Sequence, residues 1–184
     1  YSVNLYSAWN TYTVVYNANK PSGASGTVMG STVSSSHTYD TQKALPANGY
    51  SLKGWTFQGW ATSPNGSVVY ENGEQVKNLT AEDGGTVNLY AVWEQTAHQI
   101  TFNASGGSGS GTVSVLYDGA LPALITEPSR NGYNFAGYFT EPDGNGQQYY
   151  TADGEAVNGM TYTACEDIKL YAFWKPISYS IELY

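Results

Sequence analysis

A single cysteine, Cys165, rules out any intramolecular disulfide. Cationic side chains are also scarce: seven Lys and Arg face fifteen Asp and Glu, for a net charge of −8 and a pI near 4.5. So few cations cannot form a phosphate-tracking stripe, which argues against nucleic acid as a partner. The same deficit argues against an anionic membrane surface. No apolar run approaches the roughly 18 residues of a membrane span, so direct membrane insertion is not expected. No signal peptide is read at the start of this segment, and any signal or anchor is expected to lie outside it. Only two histidines are present, His37 and His98, and with one Cys they cannot assemble a zinc set.

Aromatics and glycine fill the space these absences leave. Seventeen Tyr, five Trp and five Phe supply large side chains to bury, and twenty-one Gly supply turns. Only 41% of residues are hydrophobic and 12% charged, which leaves a surface of Ser, Thr, Asn, Gln and Gly. Such a surface suits an extracellular β-protein.

Three stretches share a polar-Leu-Tyr-small-apolar-Trp pattern: Asn4 to Trp9, Asn88 to Trp93, and Lys169 to Trp174 (there with Phe173 before the Trp). Their spacing sets a repeat of about 80 residues. Val87, Leu89, Ala91 and Trp93 alternate with Asn88, Tyr90, Val92 and Glu94, as in a half-buried strand. Each unit opens on a β-branched and aromatic strand, Tyr12-Val14-Tyr16 and then His98-Ile100-Phe102, and the pattern recurs at Tyr179-Ile181-Leu183. The organisation expected is a closing strand of a preceding repeat at 1–9, units at 10–94 and 97–175, and an opening strand of a following repeat at 178–184. The chain begins inside a repeat and reads as a segment of a longer protein. Its orphan end strands are expected to rest on the complete units or to meet across molecules, because an unpaired strand loses about 1–2 kcal/mol of backbone entropy per fixed residue. The joints, from Trp9 to Tyr12 and from Trp93 to His98, are short and free of Gly, so an articulated rod is expected.

In the second unit Asp118-Gly119 marks a tight turn, where the first unit has Tyr39-Asp40. The run Gly54-Trp55-Thr56-Phe57-Gln58-Gly59-Trp60 matches Gly132-Tyr133-Asn134-Phe135-Ala136-Gly137-Tyr138. Gly59 leaves its face open to close approach by another group. From Gly73 to Trp93 the first unit matches Gly154 to Trp174 without a gap, a stretch with room for one short helical turn.

The acidic residues fall mostly in turns, where Asp supports the geometry, and no catalytic carboxylate pair is read from them. Asp143-Gly144-Asn145-Gly146 spaces oxygen ligands as a calcium loop does but lacks the further acids and the closing Glu. Cys165 falls opposite Gly84 of the other repeat and reads as a bland residue. His37 and His98 occupy unrelated positions. No nucleophile elbow or phosphate loop is present, so no catalytic, metal or cofactor residues are assigned. Trp9, Phe57, Leu89, Trp93, Phe135, Leu170 and Trp174 are the expected repeat core. Tyr6, Tyr90 and Tyr171, on the opposite strand face, are the candidate partner-binding residues.

Three motifs carry a resemblance: Phe102-Asn103 followed by Gly106-Gly107, Pro128 through Phe139, and Leu170-Tyr171-Ala172-Phe173-Trp174. Together they resemble the Listeria–Bacteroides repeat, the internalin B-repeat family of bacterial surface proteins. Tyr138 stands where that family usually has Trp, as at Trp60, and the first unit lacks the Gly-Gly pair and has a longer second connection. The resemblance implies an α+β but strongly β-rich fold. Each unit would be a small β-grasp-like mixed sheet of about four strands with at most one short helix. It also implies arrays on secreted or cell-wall-attached proteins, acting as stalks or adhesion modules without catalytic residues. The expected role is a non-catalytic, semi-rigid spacer contacting neighbouring repeats. The alternatives are an adhesive module for a host or matrix protein, and a carbohydrate-binding accessory module of a secreted glycosidase.

Overall fold

The computed structural model describes residues 10–124 and 126–181. The expectations for residues 1–9, Tyr6 and Trp9 among them, and for 182–184 fall outside that range. The chain divides into two compact units, Tyr1–Glu94 and Gln95–Tyr184.

In the first unit the strands are β1 (Thr11–Asn17), β2 (Met29–Gly30), β3 (Ser35–Thr38), β4 (Lys43–Ala44), β5 (Tyr50–Ser51), β6 (Trp55–Ala61), β7 (Gln75–Val76) and β8 (Thr86–Gln95). Four of them form a curled mixed sheet in the order β3-β1-β8-β6, and β2-β5 and β4-β7 make two-residue ribbons. At the sheet centre β1 and β8 run parallel, with Thr13 beside Thr86 and Asn17 beside Tyr90. This register puts Tyr12, Val14, Tyr16, Leu89 and Ala91 on one buried face, joined there by Leu45, Trp60 and Val76. Thr11, Thr13 and Asn88 point the other way and are exposed. Fully burying one of the larger apolar side chains contributes about 1.5–3 kcal/mol, so a few such residues supply most of the driving force of a small unit.

The second unit repeats the plan with β9 (Ala97–Asn103), β10 (Gly111–Leu116), β11 (Tyr133–Phe139), β12 (Gln148–Tyr150) and β13 (Ile168–Pro176). The sheet order is β10-β9-β13-β11-β12. Again the opening and closing strands are parallel neighbours, with Ile168 beside Ile100 and Tyr171 beside Asn103. The other pairings are antiparallel. The core gathers Ile100, Phe102, Tyr138, Tyr150, Tyr162, Leu170 and Trp174.

Gly59 and Gly137 have the same role in both sheets. Their φ values of 150° and 124° lie where L side chains are strained. A Cβ there would fall 2.7 Å from the Tyr70 carbonyl oxygen in the first unit and 2.3 Å from that of Tyr150 in the second. The glycine thus lets the backbone of the next segment lie directly on the strand. In β11 it coincides with a bulge, where the register with β13 slips between Phe135 and Gly137.

The α+β expectation is corrected: the fold is nearly all β, and no α-helix occurs among the described residues. Single 3₁₀ turns, Pro142–Gly144 and Val157–Gly159, stand in the second unit. Each contains a left-handed residue, Asp143 (φ 60°) or Asn158 (φ 49°), which stops a helix from propagating. In the first unit the stretch with room for a helical turn instead lends Gln75–Val76 to β4. At the other end, residues 178–181 of the expected opening strand are not in a strand, and Tyr179 and Ile181 are 80% and 85% exposed.

Candidate functional site

Each closing strand ends in a tryptophan whose one donor must be satisfied if the ring is to leave water. Trp93 donates its indole N–H to the Ala18 carbonyl at 2.8 Å, and Trp174 donates to the Ala104 carbonyl at 2.8 Å. Both carbonyls lie just past the opening strand, so the same bond fastens the first turn of each unit. Phe57 meets Trp93 edge-on at 5.8 Å, and Phe135 meets Trp174 at 5.5 Å. Leu89 and Leu170 are fully buried and Trp174 nearly so, while Phe57, Trp93 and Phe135 pack as half-buried neighbours of the cores.

The outward face carries Tyr90 and Tyr171, both half-buried. Tyr90 sits beside Asn17, whose side-chain amide donates to the Leu89 carbonyl at 3.1 Å. Tyr171 lies between Asn103 and Phe139, with the Lys169 ammonium 5.4 Å from its ring centre. Ring faces beside amides and one cation can stack on a planar or sugar ring and donate hydrogen bonds to it.

The histidines are better related than their sequence positions suggest. Tyr12 on β1 is the cross-strand partner of His37 on β3, and His98 on β9 is the partner of Val115 on β10. Since β1 and β9 are the equivalent opening strands, the two histidines occupy the two members of one cross-strand pair, one in each unit. The expectation of unrelated positions is corrected, because only the register brings the two sites together.

In the first unit His37 is 1% exposed and stacks on Tyr12 at 5.4 Å. Its Nε2 shares a 2.8 Å hydrogen bond with Ser35 Oγ, which in turn lies 2.9 Å from the Tyr16 hydroxyl. Burial pushes the His37 imidazole below its ordinary range, and Lys43 pushes it the same way. Burial raises the Tyr16 phenol, with the Ser35 bond opposing. A Ser–His pair sealed inside a core has no path to substrate and acts as structure. The second unit places Val113 and Val115 at the corresponding sites.

Among the described residues no three His, Cys, Asp or Glu side chains gather into a metal set. Cys165 is exposed. The calcium-like stretch at Asp143 is a closed turn, with Asn145 N–H bonded to the Pro142 carbonyl at 3.2 Å. Among the described residues, one cleft of about 460 Å³ lies beside Pro128, Phe135 and Gly154, and another of about 410 Å³ beside Pro21, Asn65 and Val92.

A Listeria-Bacteroides repeat domain matches residues 12–92 and again residues 98–173. The chain is similar to a protein of Evansella cellulosilytica named "Putative Gly-rich membrane protein", 27% identical over 181 residues that cover 96% of this chain and 19% of that protein. A second protein of the same organism, named "Putative membrane protein", is 26% identical over 181 residues, covering 97% of this chain and 24% of that protein. The chain thus spans only about a fifth to a quarter of the length of these relatives. The domain is a repeat typical of surface proteins and not a catalytic family. Two successive matches, falling on two sheets with the same central strand order, place this chain in the Listeria-Bacteroides repeat family.

Proposed function

We propose that the chain is a tandem-repeat segment of a secreted or cell-wall-attached bacterial surface protein and serves as a semi-rigid spacer. The observation that carries this reading is the tight succession of two repeats: Thr96 alone separates β8 from β9. A one-residue connection between strands leaves little freedom at a joint. No described helix is long and apolar enough to cross a membrane. Each unit reads as a β-grasp-like sheet, since a central parallel pair has an antiparallel partner on its opening-strand side. Short ribbons stand in place of the crossover helix in the first unit, and isolated bridges and 3₁₀ turns in the second. Small-angle scattering from the 184-residue chain should report an elongated particle with little flexing. A compact particle, or a freely flexing pair, contradicts the spacer.

Adhesion is the second reading, supported by the half-buried Tyr90 and Tyr171 on the outward faces. A host or matrix protein or a glycan would be the partner. Tyr90→Ala and Tyr171→Ala together should abolish capture of such a partner while leaving the melting temperature within a few degrees. Unchanged capture removes this reading.

A further inference from the structure

The two units differ most tellingly beneath one turn. In the second unit the turn Pro142–Gly144 lies on the ring of Phe173: a Cβ built on Gly144 would fall 2.7 Å from Phe173 Cδ1. Phe173 in turn meets Phe139 edge-on at 6.0 Å and 90°. The repeat register puts Val92 at the place of Phe173, Ala61 at the place of Phe139, and Pro64-Asn65-Gly66 at the place of the turn. Two benzyl groups are therefore replaced by an isopropyl and a methyl group. At this place the first unit has its cleft of about 410 Å³.

We propose that this cleft is a sugar-binding subsite, in which a pyranose ring takes the place that Phe173 fills in the second unit. The volume lies within the range of small-ligand sites, which begins at about 300 Å³. Val92, with Pro21 and Pro64 beside it in the lining, offers apolar surface to the C–H face of a ring. Exposed Lys20, Ser22 and Asn65 line the rim and offer an ammonium, a hydroxyl and an amide to ring hydroxyls or a carboxylate. A phenyl ring would use the apolar surface and leave those donors without a partner, whereas a pyranose uses both. The walls are held in advance. Asn19 donates to the Pro64 carbonyl and to the Ala91 carbonyl, each at 2.9 Å, and ties the turn to the closing strand. Trp93 is fixed by its bond to Ala18. Little ordering is then left for the ligand to impose. Val92 stands two residues beyond Tyr90 on the same face of β8, so the subsite adjoins the Tyr90 face; it does not rest on the spacer reading.

The test is a titration of the ¹⁵N-labelled chain, followed by amide shifts, with N-acetylglucosamine, glucuronic acid and N-acetylphenylalaninamide in turn. At least one sugar should shift the Gly66 and Val92 amides and the Asn65 side-chain amide, saturating at about millimolar concentration, as suits a single ring. The Gly144 and Phe173 amides, whose place is already filled, should stay still. Val92→Phe, which rebuilds the occupant, should abolish the response. Lys20→Ala combined with Asn65→Ala should weaken it at least about threefold, and this pair decides the matter if the Val92 variant does not fold. Silence towards both sugars overturns the proposal. So do a response that survives in Val92→Phe, unchanged affinity in the rim variant, or shifts caused by the phenylalanine derivative alone.

Discussion

His37 shows what one residue can do to a small unit. Its ring is enclosed by Tyr12, which stacks on it, by Ser35, which leads to Tyr16, and by the charge of Lys43 on the neighbouring segment. A histidine free in an unfolded chain titrates at about pH 6.5. The folded imidazole resists its proton, so below that pH the unfolded state binds more protons than the folded one. The stability of the first unit should therefore be full above about pH 6.5 and fall as the pH drops below it, until the buried ring itself titrates. Melting temperatures between pH 7.5 and 5.5 should follow this slope, and His37→Val, which copies Val115, should flatten it. An unchanged slope in the variant would mean that other groups set the pH response.

At the scale of elements, the closing tryptophan is the part to perturb. Trp93→Phe or Trp174→Phe keeps a ring in the core but frees the Ala18 or Ala104 carbonyl. Loss of a hydrogen bond of this kind costs about 0.5–1.5 kcal/mol, and the smaller ring adds a cavity cost. Denaturant unfolding should show a loss of about 2 kcal/mol or more, confined to the transition of the affected unit. A near-neutral change at both sites would mean that the turn is held by other bonds. The strand itself was legible beforehand, because Leu89, Ala91 and Trp93 alternate with polar neighbours over a long run, as do Leu170, Ala172 and Trp174. Gly59 was legible as a place of close approach, and the oxygen of Tyr70 is what approaches. The two-residue strands β2, β4, β5 and β7 were not legible, since a pair of residues has no period. The helical turn expected in the matched stretch is there in the second unit, at Val157–Gly159, and missing from the first, where Gln75 and Val76 are recruited by Lys43 and Ala44, a partner distant in sequence. The histidine pair and the cleft at Val92 stayed hidden for a related reason: each is formed by segments that only the register and the turns bring together.

For the whole molecule, each core draws on the residues of a single unit. Units of this size bury only about 60% of their unfolded surface, so each should be modestly stable on its own. Fragments 10–94 and 95–181 should each melt cooperatively when made separately, as followed by circular dichroism. An unfolded fragment would show that its unit depends on the rest of the chain. The parallel pairing of opening and closing strands has a mechanical consequence. Parallel neighbours start at the same end of the sheet, so the chain enters a unit at one end of this central pair and leaves at the other. Tension along the chain would pull β1 against β8, or β9 against β13, in shear, and all the rungs of the ladder would bear the load together. An antiparallel hairpin pulled from its ends would instead unzip one rung at a time. Such a unit resists stretching far better than its modest equilibrium stability suggests, since forced rupture is governed by the barrier to unfolding and not by the free energy of the folded state.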